Sequence, residues 1–256
     1  MTTTKQRPVG EMLRQWRERR RLSQLDLAIQ ADISTRHLSF VETGRSAPSR
    51  EMVLHLADEL DVPLRDRNRL LLAAGFAPVY GERDLQAPEM APVKAAVRQV
   101  LAGHEPYPAG VVDRRWNLVD ANKPMLMFTE GVPASLLDPL NVLRVSLHPD
   151  GLASRIVNLG EWRAHLLGRL RREIAVTADA DLISLNDELS EYPCPDRAPD
   201  LDNEVAVPLR IRHRDLELSF ISAVATFGTP ADITVDELSI ELFFPADAVT
   251  AEFLRK

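Results

Sequence analysis

The stretch from Ser23 to Gly44 constrains the fold of this chain more than any other, because it has the features of two short helices joined by a tight turn. Ser23 and Ser34 can each accept a backbone N–H and so begin a helix. Asp32 stands where the chain must leave the first helix, and aspartate tolerates the left-handed backbone of such a turn. Gly44 is placed to end the second helix. The stretch therefore predicts a tight helical pair.

The side chains of this pair separate into an inner and an outer set. The inner set is apolar, with Ile33 at the corner: Leu27, Ala28, Ala31, Leu38 and Val41. The outer set lies on the second helix: Thr35, Arg36, His37, Ser39 and Phe40. A polar outer face on the second helix is typical of a helix-turn-helix, whose second helix enters the DNA major groove. The alternative is a helical hairpin that serves only packing.

The outer face carries the donors that direct readout of DNA requires. Arg36 can bond a guanine through two N–H groups, and His37 or Thr35 can reach bases or phosphates. Gln24, in the first turn of the preceding helix, can direct its backbone N–H and its amide toward a phosphate. Phe40 leaves two interpretations open, contact with a thymine methyl group or partial burial in the core.

Helical patterns on both sides complete a small all-α domain. Before the pair, apolar residues recur at the spacing of an amphipathic helix: Val9, Met12, Leu13 and Trp16. After it, Ser49 predicts a fourth helix with these inward residues: Val53, Leu56, Ala57 and Leu60. Pro63 opens a fifth helix, which ends at Gly75 and has these apolar residues: Leu64, Leu70, Leu71 and Leu72. The prediction is a domain of five helices.

Charge is distributed unevenly along the chain. Residues 1–74 hold 13 lysines and arginines and 10 aspartates and glutamates, a net charge of +3, whereas the remainder holds 18 and 28, a net charge of −10. A mildly basic head on an acidic body is typical of a DNA-binding module joined to a separate partner domain, although chance also produces it. A basic run follows the first helix and favours either a solvated helix end or phosphate contacts: Arg17, Arg19, Arg20 and Arg21.

Composition limits the class of protein. The chain has 256 residues, 45% hydrophobic and 27% charged, which is ordinary for a globular protein of two domains. No apolar run approaches the ~20 residues needed to span a bilayer, and the first residues have no apolar leader core. The single cysteine, Cys194, cannot form an internal disulfide, which fits a reducing cytosol. We therefore expect a cytoplasmic protein that does not associate with membranes.

The remainder of the chain predicts an α+β domain with an antiparallel sheet. Residues 77–92 are rich in proline and charge and predict a linker, after which a helix starts at Pro92 with these residues on one face: Val93, Ala96, Val97, Val100 and Leu101. Strands are predicted at 109–113, 116–120, 204–212, 216–226 and 238–244. Helical stretches are predicted at 122–128, 141–147, 150–158, 161–174, 179–191 and 246–254, with a loop at 192–202.

Two segments resemble known families. The head segment SQLDLAIQADISTRHLSFVETGRSAPS resembles the phage-repressor or Xre-type helix-turn-helix in its Gln-x-x-Leu-Ala opening, its Ser cap and its Glu-x-Gly-x-x-x-Pro ending. Asp32 departs from that pattern, because it replaces the usual turn glycine. The body resembles a PAS-like sensor domain. Its segment VVDRRWNLVDAN, residues 111–122, together with the head, resembles the MmyB-like transcription-regulator family.

The resemblance implies a domain division, a DNA-contacting set and an effector. It implies a helix-turn-helix domain at 1–76, a linker at 77–92 and a PAS-like ligand-binding or dimerisation domain at 93–256. Together with the outer-face pattern, it implies these DNA-binding residues: Gln24, Ser34, Thr35, Arg36, His37, Ser39 and Phe40, with Arg45 and Arg50 on the DNA backbone. The implied effector is a small, fatty-acid-like molecule.

An apolar pocket is expected in the body. Its candidate residues, each of which could equally serve ordinary core packing, are Trp116, Met125, Met127, Phe128, Phe220 and Phe227. The six histidines are scattered without metal spacing, no phosphate-binding glycine loop or nucleophile elbow occurs, and Cys194 has no CxxC partner. We therefore expect no catalytic residues, no metal and no cofactor.

The sequence thus predicts a transcription regulator that binds double-stranded DNA as a homodimer and senses a small molecule. The dimer is expected because a head of +3 joined to a body of −10 gives one copy weak affinity for DNA. The alternative is a C-terminal domain that only dimerises or docks another protein. An enclosed cavity of roughly a few hundred Å³ would favour sensing, and a fully packed core would favour the alternative.

Overall fold

The computed structural model describes residues 8–194 and 206–255, which divide into two compact units. The first unit comprises the chain as far as Arg83 together with Pro230–Asp236, which we term the inserted segment. The second unit comprises Asp84–Thr229 and the residues from Glu237 onward. Each unit has a hydrophobic core of its own.

The described residues form eleven α-helices and five strands. The helices are α1 (Val9–Arg19), α2 (Gln24–Gln30), α3 (Thr35–Glu42), α4 (Arg50–Glu59), α5 (Leu64–Ala73), α6 (Ala91–Gly103), α7 (Val142–Leu147), α8 (Leu159–Thr177), α9 (Ala180–Glu191), α10 (Ile233–Asp236) and α11 (Ala248–Leu254). The strands are β1 (Ala109–Val112), β2 (Leu118–Ala121), β3 (Leu209–His213), β4 (Leu216–Thr226) and β5 (Ser239–Pro245). Short 3₁₀ helices occur at Pro88–Met90, Lys123–Phe128 and Ala134–Leu136, and a π-helical turn occurs at Pro149–Ala153. The predicted fold class, a five-helix N-terminal region followed by an α+β domain, is confirmed.

Side-chain caps fix where the helices of the first unit begin. The Ser23 hydroxyl accepts from the backbone N–H of Asp26 at 3.1 Å, and the Asp26 carboxylate accepts from that of Ser23 at 2.8 Å. This pair is a capping box at the start of α2. Ser34 caps α3 by accepting from the backbone N–H of His37, and Ser49 caps α4. These predicted caps each stabilise a helix by about 1 kcal/mol.

The turn between α2 and α3 has the predicted backbone. Asp32 has a φ of 49°, in the left-handed region, and Gly44, just after α3, has a φ of 72°. The predicted inner residues of the pair are all at most 2% exposed: Leu27, Ala28, Ala31, Leu38 and Val41. Of the apolar residues named for the fifth helix, Leu72 is 49% exposed. Three consecutive leucines cannot all face one side of a helix, and Leu70 and Leu71 take the buried positions.

Helix α1 approaches α3 closely at Gly10. A Cβ atom at this position would lie 2.2 Å from the carbonyl oxygen of Val41 and 2.8 Å from that of Glu42. Real Cβ atoms do not come within 3.0 Å of such neighbours, so a side chain here would require the two helix backbones to separate. The missing side chain therefore lets α1 support the helix that carries the predicted DNA-contacting residues.

The inserted segment is held within the first unit by hydrogen bonds and by apolar burial. Arg83 donates from Nη1 to the Asp232 carboxylate at 2.8 Å, and the backbone N–H of Ile233 donates to the carbonyl of Gly81 at 2.8 Å. The Asp236 carboxylate accepts from the first backbone N–H of α5 at 3.2 Å. Ile233 is buried to 3% exposure. The segment is thus part of the first unit, although β4 and β5, which flank it in the chain, belong to the second.

The sheet of the second unit is antiparallel throughout, with the strand order β2-β1-β5-β4-β3. The first and last strands in the chain lie side by side in the sheet, because β1 pairs with β5. Strand β5 pairs with β4 on its other side. The β3–β4 hairpin turns at Arg214, which has a φ of 55°. This is the antiparallel arrangement expected from the sequence.

The sheet separates two apolar clusters. On its outer face, α6 packs through Val97 and Leu101 against Val111 of β1. On its inner face, the larger cluster includes Phe220 of β4 and Phe243 of β5 and side chains of α7, α8 and α9. Of the residues predicted to share one face of α6, Val97 and Leu101 are buried, whereas Ala96 and Val100 are exposed.

Two strands begin two or more residues later than predicted. Trp116 has a φ of 66° and lies in the turn before β2, which therefore starts at Leu118. Strand β3 starts at Leu209, whereas the prediction began at 204, a position that lies outside the described residues with the rest of 195–205. Strand β4 has the predicted bounds. Local pattern thus located the strands better than it located their ends.

Candidate DNA-binding surface and ligand cavity

The predicted DNA-contacting residues of α3 lie together on the first unit. Arg36 is exposed, and Thr35, His37 and Ser39 are partly exposed. Ser34 is exposed as well, and its hydroxyl caps the helix by accepting from the backbone N–H of His37 at 3.1 Å. These residues belong to the first turns of one capped helix, the part from which a recognition helix reaches base edges.

Phe40 is half-buried, and its ring supports two arginines of this surface. The guanidinium carbon of Arg36 lies 5.3 Å from the ring centroid, and that of Arg45 lies 5.9 Å from it. Cations at this distance from an aromatic face are attracted by about 0.5–1 kcal/mol at exposed sites. The ring therefore limits the conformations of two exposed cations. Arg50, the other predicted backbone contact, is exposed at the first position of α4.

A buried ionic network ties α1 and α2 to the end of α3. The Glu42 carboxylate accepts from Arg17 Nε at 2.7 Å, from Arg17 Nη2 at 3.0 Å and from Gln24 Nε2 at 2.7 Å. The Arg17 and Glu42 side chains are 9% and 1% exposed, and this bond raises the pKa of Arg17. The Gln24 amide, which was predicted to contact a phosphate, thus donates one hydrogen bond within the unit, and the residue stays partly exposed.

The basic run at the end of α1 makes contacts largely within the first unit. Arg17 belongs to the buried network. Arg20 donates to the carbonyls of Leu60 at 2.8 Å and Asp61 at 2.7 Å, and its guanidinium and that of Arg19 lie over the Trp16 ring. These contacts within the first unit correspond to neither of the two interpretations left open for the run, a solvated helix end or phosphate contact.

An apolar cavity of about 80 Å³ lies within the second unit, beside the inner face of the sheet. Its lining includes strand and helix residues such as Val112, Leu118, Leu143, Val145, Trp162 and Leu166. The volume exceeds the ~30 Å³ share of one water molecule. It falls below the roughly 300–1,000 Å³ of pockets that hold drug-sized ligands.

Three of the six predicted ligand-contacting residues line this cavity: Trp116, Met125 and Phe128. The other three pack elsewhere. Phe220 is fully buried and meets Phe128 edge-on, with 5.6 Å between ring centroids. Met127 is buried in the same core, and Phe227 packs in the outer-face cluster with α6. Ordinary core packing, the alternative that the sequence left open, therefore describes these three residues.

A charged pair forms the polar part of the cavity, and sequence reasoning missed it. Arg169 of α8 donates from Nη2 to Glu241 Oε1 of β5 at 2.8 Å and from Nη1 to Oε2 at 3.2 Å. The Arg169 guanidinium also lies 4.6 Å from the Trp116 ring centroid. The pair lies 72 residues apart in the chain, so no local pattern could join it. The local signal was a charged residue inside the largely apolar strand β5.

The described part of the chain offers little other site chemistry. Residues 8–194 and 206–255 contain no group of three or more metal-ligating side chains that could hold an ion. His165 stacks on Trp162 with 5.3 Å between ring centroids, and burial lowers its pKa. No helix in the described ranges is both long enough and apolar enough to cross a bilayer.

Two family models match the chain. Residues 8–70 match a helix-turn-helix domain, and residues 93–256 match the MmyB-like transcription regulator ligand binding domain. Among curated proteins no match was found. The first match contains α1 to α4 with the capped, polar face of α3, and the second contains the sheet with its cavity. Because the second match spans more than half of the sequence, this chain belongs to the MmyB-like transcription regulator family and combines a helix-turn-helix domain with that family's ligand-binding domain.

Proposed function

We propose that this protein is a sequence-specific, DNA-binding transcription regulator whose operator affinity responds to a small apolar effector. The observation that carries the proposal is the exposed polar face of α3, which is capped at its start and anchored at its end by the Arg17–Glu42 pair. The family match of the larger unit to a regulator ligand-binding domain supports the second half of the proposal. Since its target is genomic DNA, we place the protein in the cytoplasm.

In this proposal Arg36 reads a base edge in the major groove, since a guanidinium can bond guanine through two N–H groups. The partly exposed polar residues of the same face contact neighbouring bases or phosphates: Thr35, His37 and Ser39. Arg45 and Arg50 contact the DNA backbone, which fixes position without reading sequence. Phe40 contributes by holding the guanidinium groups of Arg36 and Arg45 over its ring.

We further propose that two copies act together. One head carries a net charge of only +3 and is joined to a body of −10, so a single copy gains little from counterion release. Two recognition helices in a symmetric dimer would read half-sites one helical turn, roughly 34 Å, apart. The resulting gain in affinity comes from linking two weak binding events.

The proposed effector has an apolar, fatty-acid-like body, which matches the apolar lining of the cavity at residues such as Leu143 and Phe128. It changes operator affinity only as far as it binds the DNA-competent and incompetent states unequally. The inserted segment offers a route, because it belongs to the first unit and leads directly into β5, which carries Glu241 in the cavity lining. A shift of β5 would therefore be transmitted along the chain to the first unit.

A second candidate function is a C-terminal domain that only dimerises or docks a protein partner. The cavity volume of about 80 Å³ favours it, because an effector larger than a few heavy atoms requires the cavity to expand. Binding of an apolar molecule that changes operator affinity would decide for sensing, and unchanged operator affinity with every such molecule would decide for the docking module.

The test of the proposal is selection of binding sites from random duplex DNA by the full-length protein at physiological salt. The expected result is enrichment of a two-fold symmetric sequence whose half-sites are centred about 10 base pairs apart. A selected pool without a shared sequence would contradict sequence-specific binding. A single, unrepeated half-site would contradict the dimer alone.

A further inference from the structure

The charge inside the cavity is already balanced. Of the described residues that line it, only Arg169 and Glu241 are charged, and they bond each other through two contacts of 3.2 and 2.8 Å. Their side chains are 17% and 8% exposed. A guanidinium bonded in this parallel manner offers its strongest anion-binding edge to its own carboxylate. The cavity therefore presents an internal salt bridge to an entering molecule, and no unpaired cation.

A second carboxyl group lies close to this pair. The Trp116 ring stacks on Arg169, and its Nε1–H donates to Glu173 Oε2 at 2.9 Å. Burial raises the pKa of Glu173, which means that the ionised form of this carboxyl group is disfavoured there. The next two arginines of α8, Arg171 and Arg172, are exposed and do not line the cavity. His165 does not compensate either, because burial and the nearby arginines lower its pKa.

An ionised carboxylate is poorly matched to these surroundings. It could bond Arg169 by displacing Glu241, which would leave a buried carboxylate without a partner. Otherwise it would have to join Glu241 and Glu173 as a third acidic group. A hydroxyl, amide or ester can form a hydrogen bond beside the pair while the pair stays intact. The Ser222 hydroxyl, which also lines the cavity, adds a neutral partner for such a group.

We propose that the cavity selects an apolar molecule whose polar end is uncharged, such as an alcohol, an amide or an ester, and discriminates against the corresponding carboxylate. The inference rests on the proposed sensing function and identifies the chemical class of its effector. The Arg169–Glu241 pair is the element that sets this preference. The apolar lining binds the hydrocarbon part of either molecule, so the head group alone decides between them.

The test compares 1-octanol with octanoate by calorimetric titration of the full-length protein at about pH 8, where carboxylic acids of ordinary pKa (about 4) are ionised. The two molecules share an eight-carbon length and differ in head group. We expect 1-octanol to bind at least about tenfold more tightly than octanoate. Leaving a buried charged group without its partner costs more free energy than a tenfold change in affinity corresponds to. Equal affinities, or tighter binding of octanoate, would overturn the head-group inference and leave the sensing function standing.

The variant Glu241→Gln examines the cause of the preference. It retains the shape of the side chain but frees the charge of Arg169, so octanoate should gain affinity relative to 1-octanol. The matched control is Glu217→Gln, which neutralises the exposed partner of Arg210 on the neighbouring hairpin and should leave the preference unchanged. An unchanged preference in Glu241→Gln would remove the pair from its proposed role, and the wild-type comparison remains decisive if that variant does not fold.

Failure of this inference differs from failure of the proposed function. If neither compound binds, the cavity is not a site for aliphatic molecules, and both the head-group inference and the effector half of the proposed function are overturned. Site selection on DNA, which requires no effector, would still test the other half. If octanoate is preferred, only the head-group inference falls.

Discussion

The substitution Arg17→Met gives the sharpest view of how the DNA-binding unit is held together. It removes the guanidinium but keeps much of the apolar stem, and it leaves Glu42 at 1% side-chain exposure with only the Gln24 amide as a partner. Removing one member of a buried ion pair typically costs about 3–5 kcal/mol, because the remaining charge is uncompensated. We expect a loss of this size in the stability of the first unit.

The matched control lies on the same helix. Arg14 and Glu18 form an ion pair of nearly the same length, 2.8 Å, but their side chains are 60% and 50% exposed. Exposed pairs of this kind contribute little because water and salt screen them, so Arg14→Met should leave stability nearly unchanged. The double variant Arg17→Met with Glu42→Leu should recover most of the loss, since replacing both members of a buried pair by apolar residues is often neutral.

Hydrogen–deuterium exchange is the appropriate assay, because it resolves the first unit from the second within the intact chain. Peptides from α1 to α4 should lose protection in Arg17→Met, and those from the sheet should not. Equal protection in Arg17→Met and Arg14→Met would refute the reasoning, as would a double variant less stable than Arg17→Met alone.

Three further predictions concern single side chains. Gly10→Ala places a methyl group 2.2 Å from a carbonyl oxygen of α3 and should destabilise the first unit by about 1–3 kcal/mol in urea denaturation, whereas Gly103→Ala, where a Cβ meets nothing within 4 Å, should not destabilise the protein. Burial raises the pKa of Glu173, so the folded state retains the proton of this carboxyl group at pH values where the unfolded chain has lost it. The free energy of unfolding therefore falls as pH rises from about 4.3 through the raised pKa. The variant Glu173→Gln should flatten this pH dependence in denaturation curves. Phe40→Leu removes the aromatic face beneath Arg36 and should weaken specific DNA binding by roughly 0.5–1 kcal/mol in fluorescence anisotropy, with an unchanged circular dichroism spectrum.

The features that could be predicted from sequence are those that depend on local geometry. Ser23 and Ser34 cap their helices because a hydroxyl reaches a backbone N–H three residues ahead, a relation written in the sequence itself. The left-handed backbone of Asp32 could be predicted for the same reason, because the turn and the residue that tolerates it lie within one short stretch of sequence. Alternation likewise located β4, the longest strand of the sheet.

The features that could not be predicted depend on partners distant in the chain. The hydrogen bond from Gln24 to Glu42 could not be predicted, because it depends on how α2 and α3 pack together. In the cavity lining, Arg169 donates a hydrogen bond to Glu241, and no local sequence pattern around either residue indicates its partner. Phe220 packs in the core beside the cavity. The sequence can indicate that an aromatic residue is buried, but it cannot tell whether the ring lines a cavity or packs against other side chains.

The central claim is that α3 reads DNA sequence through Arg36, and the most direct measurement is competition binding of the selected operator against single-base variants. Wild type, Arg36→Ala and the control Arg14→Ala would be compared at one fixed salt concentration, because the phosphate contribution varies with salt. We predict that Arg36→Ala loses about 1–3 kcal/mol of discrimination at one base pair of each half-site, while Arg14→Ala retains the wild-type preference. Discrimination that is unchanged in Arg36→Ala at every base pair would contradict the account.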